Sequence, residues 1–211
     1  MQPHRLIHLA VLPLLLLPSV GCRQLLKGAD EALEVGRRVD VPTPPSVGRR
    51  AVGKVAEEGL QYTVTQAIAA AEKHDAAPGT DLPDLDGRWR QTDSYGDGFA
   101  GTMVIDRKAS QPGVYDVAIT HTLVLKDQTL LTASFKAVEV LSRTRQCQFL
   151  NSLDVAYATD EVQQLLEAES GPLTLATFRD KPCSDILSID GSMIRGVGTD
   201  GVTFVEARSP L

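Results

Sequence analysis

Outside its first 21 residues the chain carries two histidines, His74 and His121, and three cysteines, Cys22, Cys147 and Cys183. Imidazoles and thiolates are the usual carriers of nucleophilic and metal chemistry, and their spacing here builds no known arrangement. Neither histidine lies in an HExxH sequence, and no two cysteines sit close enough to form a paired zinc-ligand set. There is no G-x-S-x-G elbow and no Walker loop. His121 ends a face that also carries Tyr115, Val117 and Ile119, so it is expected inside the fold as a core or rim histidine. No catalytic residue, metal or cofactor is therefore expected.

Gly96-Asp97-Gly98-Phe99-Ala100-Gly101 satisfies G-x-G-x-x-G. A dinucleotide site needs a strand before that motif and a helix after it, and β-type sequence follows here. Asp97 would also repel phosphate. The segment reads as a glycine-rich hairpin loop. Asp84, Asp86, Asp93 and Asp97 crowd the same region but lack the ordered spacing of a calcium loop, and they read as turn carboxylates.

Function classes narrow further on charge. The chain has 211 residues, 43% of them hydrophobic, and a net charge of −6. Residues 22–80 hold eight basic and eight acidic side chains, and residues 81–211 hold twelve and nineteen, a net charge of −7. Acidic surface of this kind argues against neutralising nucleic-acid phosphate. An aromatic content of 5% also argues against stacking platforms for single strands.

Met1–Arg5 is a short, weakly positive start, and Leu6–Leu17 is mostly apolar. That apolar stretch is too short to span a bilayer of about 30 Å, and Ser19-Val20-Gly21 supplies small residues before Cys22. This is the pattern of an export signal. Gly21-Cys22 resembles the lipobox of bacterial lipoproteins, with Ser19 where that family prefers an aliphatic residue. The resemblance implies cleavage before Cys22, acylation of Cys22, and anchoring to a membrane through the acyl chains. Arg23, as a residue other than Asp after the cysteine, implies outer-membrane sorting under the enterobacterial rule. Lipidation of Cys22 would leave Cys147 and Cys183 as an even pair, and in an exported protein such a pair reads as a disulfide.

Three regions follow: a signal peptide at 1–21, a lipidated helical and Pro-rich tether at 22–80, and a β domain at 81–211. Leu25, Leu26, Ala29, Ala32 and Leu33 recur at helical spacing, and Val52, Val55, Ala56, Leu60, Val64, Ala67, Ile68 and Ala71 predict a second helix over about Arg50 to Lys73. Val41-Pro42-Thr43-Pro44-Pro45-Ser46 separates them. From Leu85 the period becomes two. Expected strands are Gly87–Thr92, Ala100–Asp106, Val114–Leu125, Thr129–Leu141, Thr144–Leu150, Leu173–Phe178, Asp185–Ile189, Ser192–Val197 and Val202–Ala207. One inserted helix is capped by Thr159 and stopped by Gly171-Pro172. Asp190-Gly191 and Asp200-Gly201 suit tight turns with positive φ, and Lys126-Asp127-Gln128 is a turn without glycine.

Short strands joined by turns predict an antiparallel meander, mainly β, closing into a barrel or folding into a sandwich. Leu85-Asp86-Gly87-Arg88-Trp89 resembles the Gly-x-Trp opening of lipocalins and related small barrels. That resemblance implies that Trp89 closes the barrel floor and that Arg208, just past the last strand, packs across it as the structural pair. The functional expectation is a non-catalytic, lipid-anchored envelope protein that holds a small apolar ligand or serves envelope assembly. Its alternative is a protein-binding module of the kind used by lysozyme-inhibitor lipoproteins. Small inward residues such as Ala133 and Ala137 lean toward a ligand cavity.

Overall fold

The computed structural model describes residues 54–58, 61–96, 98–178, 182–199 and 201–210. The expected leader, Cys22, the first expected helix and the Pro-rich break lie outside the described residues.

The strands are β1 (Lys54–Glu58), β2 (Gly87–Gly96), β3 (Phe99–Gln111), β4 (Val114–Leu125), β5 (Gln128–Leu141), β6 (Arg145–Tyr157), β7 (Cys183–Ile189), β8 (Met193–Val197) and β9 (Thr203–Arg208). β6, β5, β4, β3, β2, β9, β8 and β7 are neighbours in that order, and β7 pairs back onto β6, so eight antiparallel strands close a meander barrel. Closure pairs most of the strand edges that would otherwise template aggregation. β7 reaches only Arg145–Cys147 of β6, and β1 pairs with the far part of that edge, from Lys54↔Ala156 to Glu58↔Ser152.

Period-two patterning sets which side chains enter. On β5, Leu131, Ala133, Phe135 and Ala137 are buried in the barrel, while Thr132, Ser134 and Lys136 face out. Trp89, Phe135, Phe204 and Tyr157 are the largest fully buried side chains. Gly196 on β8 is required by this packing, because a Cβ there would overlap the Phe204 ring. The β4–β5 hairpin turns through Lys126 and Asp127 with φ of 47° and 67°. Both central residues of the turn are thus left-handed without a glycine, the conformation whose twist matches a two-residue hairpin.

Two helices decorate the barrel. Helix α1 (Val64–Glu72) starts in a Thr63/Gln66 capping box, and its Ala67 and Ala71 pack with Val138, Val140 and Phe149 on the outer wall. The helix expected over Arg50–Lys73 is thus confined to its second half, and residues 54–58 are strand because β6 offers an unpaired edge. Helix α2 (Asp160–Ser170) is capped by Thr159 and ends at Gly171, whose φ is 75°. Val162 and Leu166 pack against the interior cluster. The strand expected at Leu173–Phe178 is instead a 3-10 turn over Leu175–Phe178. Leu173 and Leu175 are buried in the barrel core, so this segment closes one barrel end rather than joining its wall.

Cys147 and Cys183 face each other on β6 and β7 and form a disulfide across 36 residues. It sits with the outer cluster under α1 and fixes the β6–β7 junction where the barrel closes. Reduction is expected to lower folding stability by about 2–4 kcal/mol. Urea unfolding with and without a phosphine reductant measures this, and coincident midpoints would refute it.

Candidate functional site

Trp89 lies at the barrel end where the chain enters β2 and leaves β9. It is fully buried, and its Nε1 donates to the Leu85 carbonyl at 2.9 Å. Trp89 and Arg208 are register partners across β2 and β9, and the Arg208 guanidinium carbon lies 5.6 Å from the ring centroid. Arg208 also donates to the carbonyls of Asp86 and Gly191, so one half-exposed side chain joins the entry loop, the β7–β8 turn and the indole. Arg107 approaches the same ring, at 5.4 Å. Two cations over one indole are attracted by its quadrupole.

Arg107 continues inward into an ionic cluster that sequence reasoning missed. Its Nε donates to Glu139 Oε2 at 2.6 Å, and its Nη2 donates to Glu139 Oε1 at 3.1 Å and to Glu206 Oε2 at 2.6 Å. Gln146 Nε2 donates to both carboxylates, at 2.7 Å to Glu139 and 3.2 Å to Glu206, and Gln148 adds a bond of 2.8 Å to Glu139. The three charged side chains are at most 2% exposed. Strands β3, β5, β6 and β9 are thereby tied together from inside. Each member sits at inward parity: Arg107 follows Met103 and Ile105, Glu139 follows Phe135 and Ala137, and Glu206 follows Phe204. That parity was the available signal.

One guanidinium faces two carboxylates, so their protonation differs. Burial pushes Glu139 up, but the Arg107 charge and the donors from Arg107, Gln148 and Gln146 outweigh it and hold Glu139 below the ordinary range. At Glu206 burial, reinforced by the Glu139 charge, prevails over Arg107, and its carboxyl is raised. Burial lowers Arg107, yet attraction from both glutamates leaves it firmly charged. The cluster can hold a proton, but it is sealed from solvent and offers no substrate a route to these atoms. Its bonds fasten the barrel from inside.

His121 points into the barrel between Met103 and Ala133 of the neighbouring strands, and its Nδ1 has no hydrogen-bond partner. Burial lowers its pKa to about 4. The unfolded chain takes up a proton below the ordinary 6.5 while the folded imidazole stays neutral, so stability falls as pH drops from there to about 4. His121→Leu is expected to raise stability by about 1 kcal/mol at pH 7, by removing an unpaired buried polar atom, and by more at pH 5. Urea midpoints at the two pH values test this, and an equal effect at both would defeat it.

The barrel interior holds side chains where a ligand would lie. Trp89, Ile105 and Ala133 are 0% exposed to water and Phe135 is 2% exposed, so water does not reach these four side chains. Ala133 and Ala137, whose small size suggested a cavity, are covered by their larger neighbours. Outside, a groove of about 550 Å³ crosses β3 to β6, lined by Asp106, Lys108, Asp116, Ala118 and Lys136 among others. Asp106 is held by Arg88 and Asp116 by Ser110. His74 is exposed beyond α1. Asp84, Asp86 and Asp93 accept bonds from Asp86, Ala109 and Gln91 respectively, and no group of three metal-ligating side chains occurs among the described residues. No family model and no curated protein matches this chain.

Proposed function

We propose that this chain is a non-catalytic, lipid-anchored protein of the outer membrane whose barrel works through its outside, as a binding module for another envelope protein. The carrying observation is the burial of four large side chains, Trp89, Tyr157, Phe135 and Phe204, inside the barrel, the region in which a lipocalin holds its ligand. A closed, filled barrel is a rigid scaffold, and such scaffolds position binding surfaces on their walls and loops. The envelope assignment draws its support from the leader ending in Gly21-Cys22 and from the Cys147–Cys183 bridge, a bond that persists in oxidising compartments.

Titration with the apolar fluorophore N-phenyl-1-naphthylamine separates this reading from the small-ligand one. The surface-binding reading expects no saturable fluorescence gain; a stoichiometric gain reversed by a fatty acid would replace it with a carrier. Cys22→Ala is expected to leave the protein unanchored in membrane fractions, and undiminished partitioning with lipoproteins would remove the anchor from the proposal.

A further inference from the structure

The barrel wall is incomplete at one junction. β2 and β9 pair only at Trp89↔Arg208 and Arg90↔Ala207, although β2 runs on to Gly96 and β9 begins at Thr203. On their other sides both strands are paired much further, β2 with β3 as far as Gly96↔Phe99 and β9 with β8 as far as Val197↔Thr203. The hydrogen bonds fix which groups face the gap. Ser209 N donates to Arg88 O across the junction, and Arg208 N donates to Ser192 O on the β8 side. Residues alternate along a strand, so the backbone N–H and C=O of Val205 and Thr203 point toward β2, and those of Thr92 and Ser94 point toward β9. Neither Thr92–Val205 nor Ser94–Thr203 is a pair in the ladder. The strands fork above Arg90 and Ala207, leaving two lips of extended backbone.

The surroundings define what fits. All four residues on the lips are exposed, and the apolar side chains of Val202 and Val205 are 47% and 44% exposed beside them. Arg90 on β2 and Arg195, which stands opposite Val205 on β8, are exposed, and among the described residues neither forms a salt bridge, although Arg195 is near enough to Asp190 to help lower its carboxyl. In a domain carrying net negative charge these two cations give the fork a local positive rim. Backbone donors and acceptors repeating every second residue are matched by another extended polypeptide, and the apolar and charged side chains beside them then select its side chains.

We propose that this fork is a docking site for an extended, acidic segment of a partner protein, which adds as a strand along the lips at 92–94 and 203–205. The proposal rests on the surface-binding reading and names its surface. Two seven-residue peptides, alternating valine with glutamate or with lysine, serve as probes, titrated into the isotope-labelled full chain. The glutamate peptide is expected to shift the amides of Thr92, Ser94, Thr203 and Val205, with the lysine peptide about ten-fold weaker. Val205→Pro removes an N–H that faces the fork and not β8, so it is expected to keep the fold and weaken binding by about ten-fold or more. Should that variant not fold, Arg90→Glu combined with Arg195→Glu is expected to invert the preference between the peptides. Unchanged affinity in these variants, shifts on another face, or no binding by either peptide at millimolar concentration overturns the proposal. Shifts at the fork that follow protein concentration alone overturn it in favour of strand pairing between copies. Uptake of the apolar fluorophore would instead remove the surface-binding reading itself.

Discussion

Arg107→Met is expected to destabilise the fold by about 3–5 kcal/mol at pH 7, because it leaves two buried carboxyls without their cation. The wild-type cluster already contains opposed responses to pH. Glu139 titrates below the ordinary range, so its contribution is present above that range and is lost as pH falls through its folded value. Glu206 titrates above the ordinary range, so folding takes up a proton there, and its contribution is lost as pH rises through its folded value. Removing Arg107 deletes the attraction holding Glu139 down, and burial then pushes both carboxyls up. The variant should therefore recover as pH is lowered and both become neutral, so the difference from wild type shrinks toward pH 5. Glu206→Gln keeps an acceptor for Arg107 without a charge, and it is expected to cost no more than about 1 kcal/mol at pH 7. Urea unfolding at pH 5 and pH 7 decides the matter. A loss below about 1 kcal/mol for Arg107→Met, or one independent of pH, would mean that the cluster does not fasten the barrel.

The sequence carried the barrel wall more clearly than its contents. Alternation located strands β2 to β9 where one face is wet and the other buried, and the inserted helix followed from Thr159 and Gly171-Pro172. The strand expected at Thr144–Leu150 runs on to Tyr157 as β6, whose burial pattern is too irregular to show its second half by alternation. Leu173–Phe178 misled because a short apolar run is equally consistent with a strand and with a plug, and only the closed barrel gives it an end to cover. β1 was hidden for a related reason. Lys54–Glu58 has no strand character of its own, and it is extended because β7 is too short to cover β6. Arg107, Glu139 and Glu206 were legible one at a time by parity, but charged residues are read as surface by default. Their meeting depends on closure, which brings together positions 99 residues apart. The fork between β2 and β9 is invisible in sequence, since Thr92 and Val205 suit a strand whether or not it is paired.

Trp89→Ala is expected to cost about 3–5 kcal/mol, because a fully buried indole leaves a cavity its neighbours cannot fill. Part of that loss belongs to the cations above the ring, and a double-mutant cycle isolates it. Arg208→Ala alone should cost less than Trp89→Ala, since its guanidinium is partly solvated and its carbonyl contacts lie at the rim. The coupling between the two is expected to be about 0.5–2 kcal/mol, the range for a cation over an aromatic face between exposed and desolvated limits. The contact does more than its energy suggests, because the ladder between β2 and β9 has only two residue pairs and Trp89↔Arg208 is one of them. With so few backbone bonds at this junction, the side chains of Arg208 and Glu206 carry much of the closure, the first over Trp89 and the second through Arg107. Loss of Arg208 should therefore speed hydrogen exchange at Arg90 and Ala207, whose amides face each other across the junction, while exchange in β4 and β5 stays slow. Additive single-mutant effects with unchanged exchange at those two amides would show that the ring and the guanidinium are neighbours without being partners, and that the junction is held by the buried cluster alone.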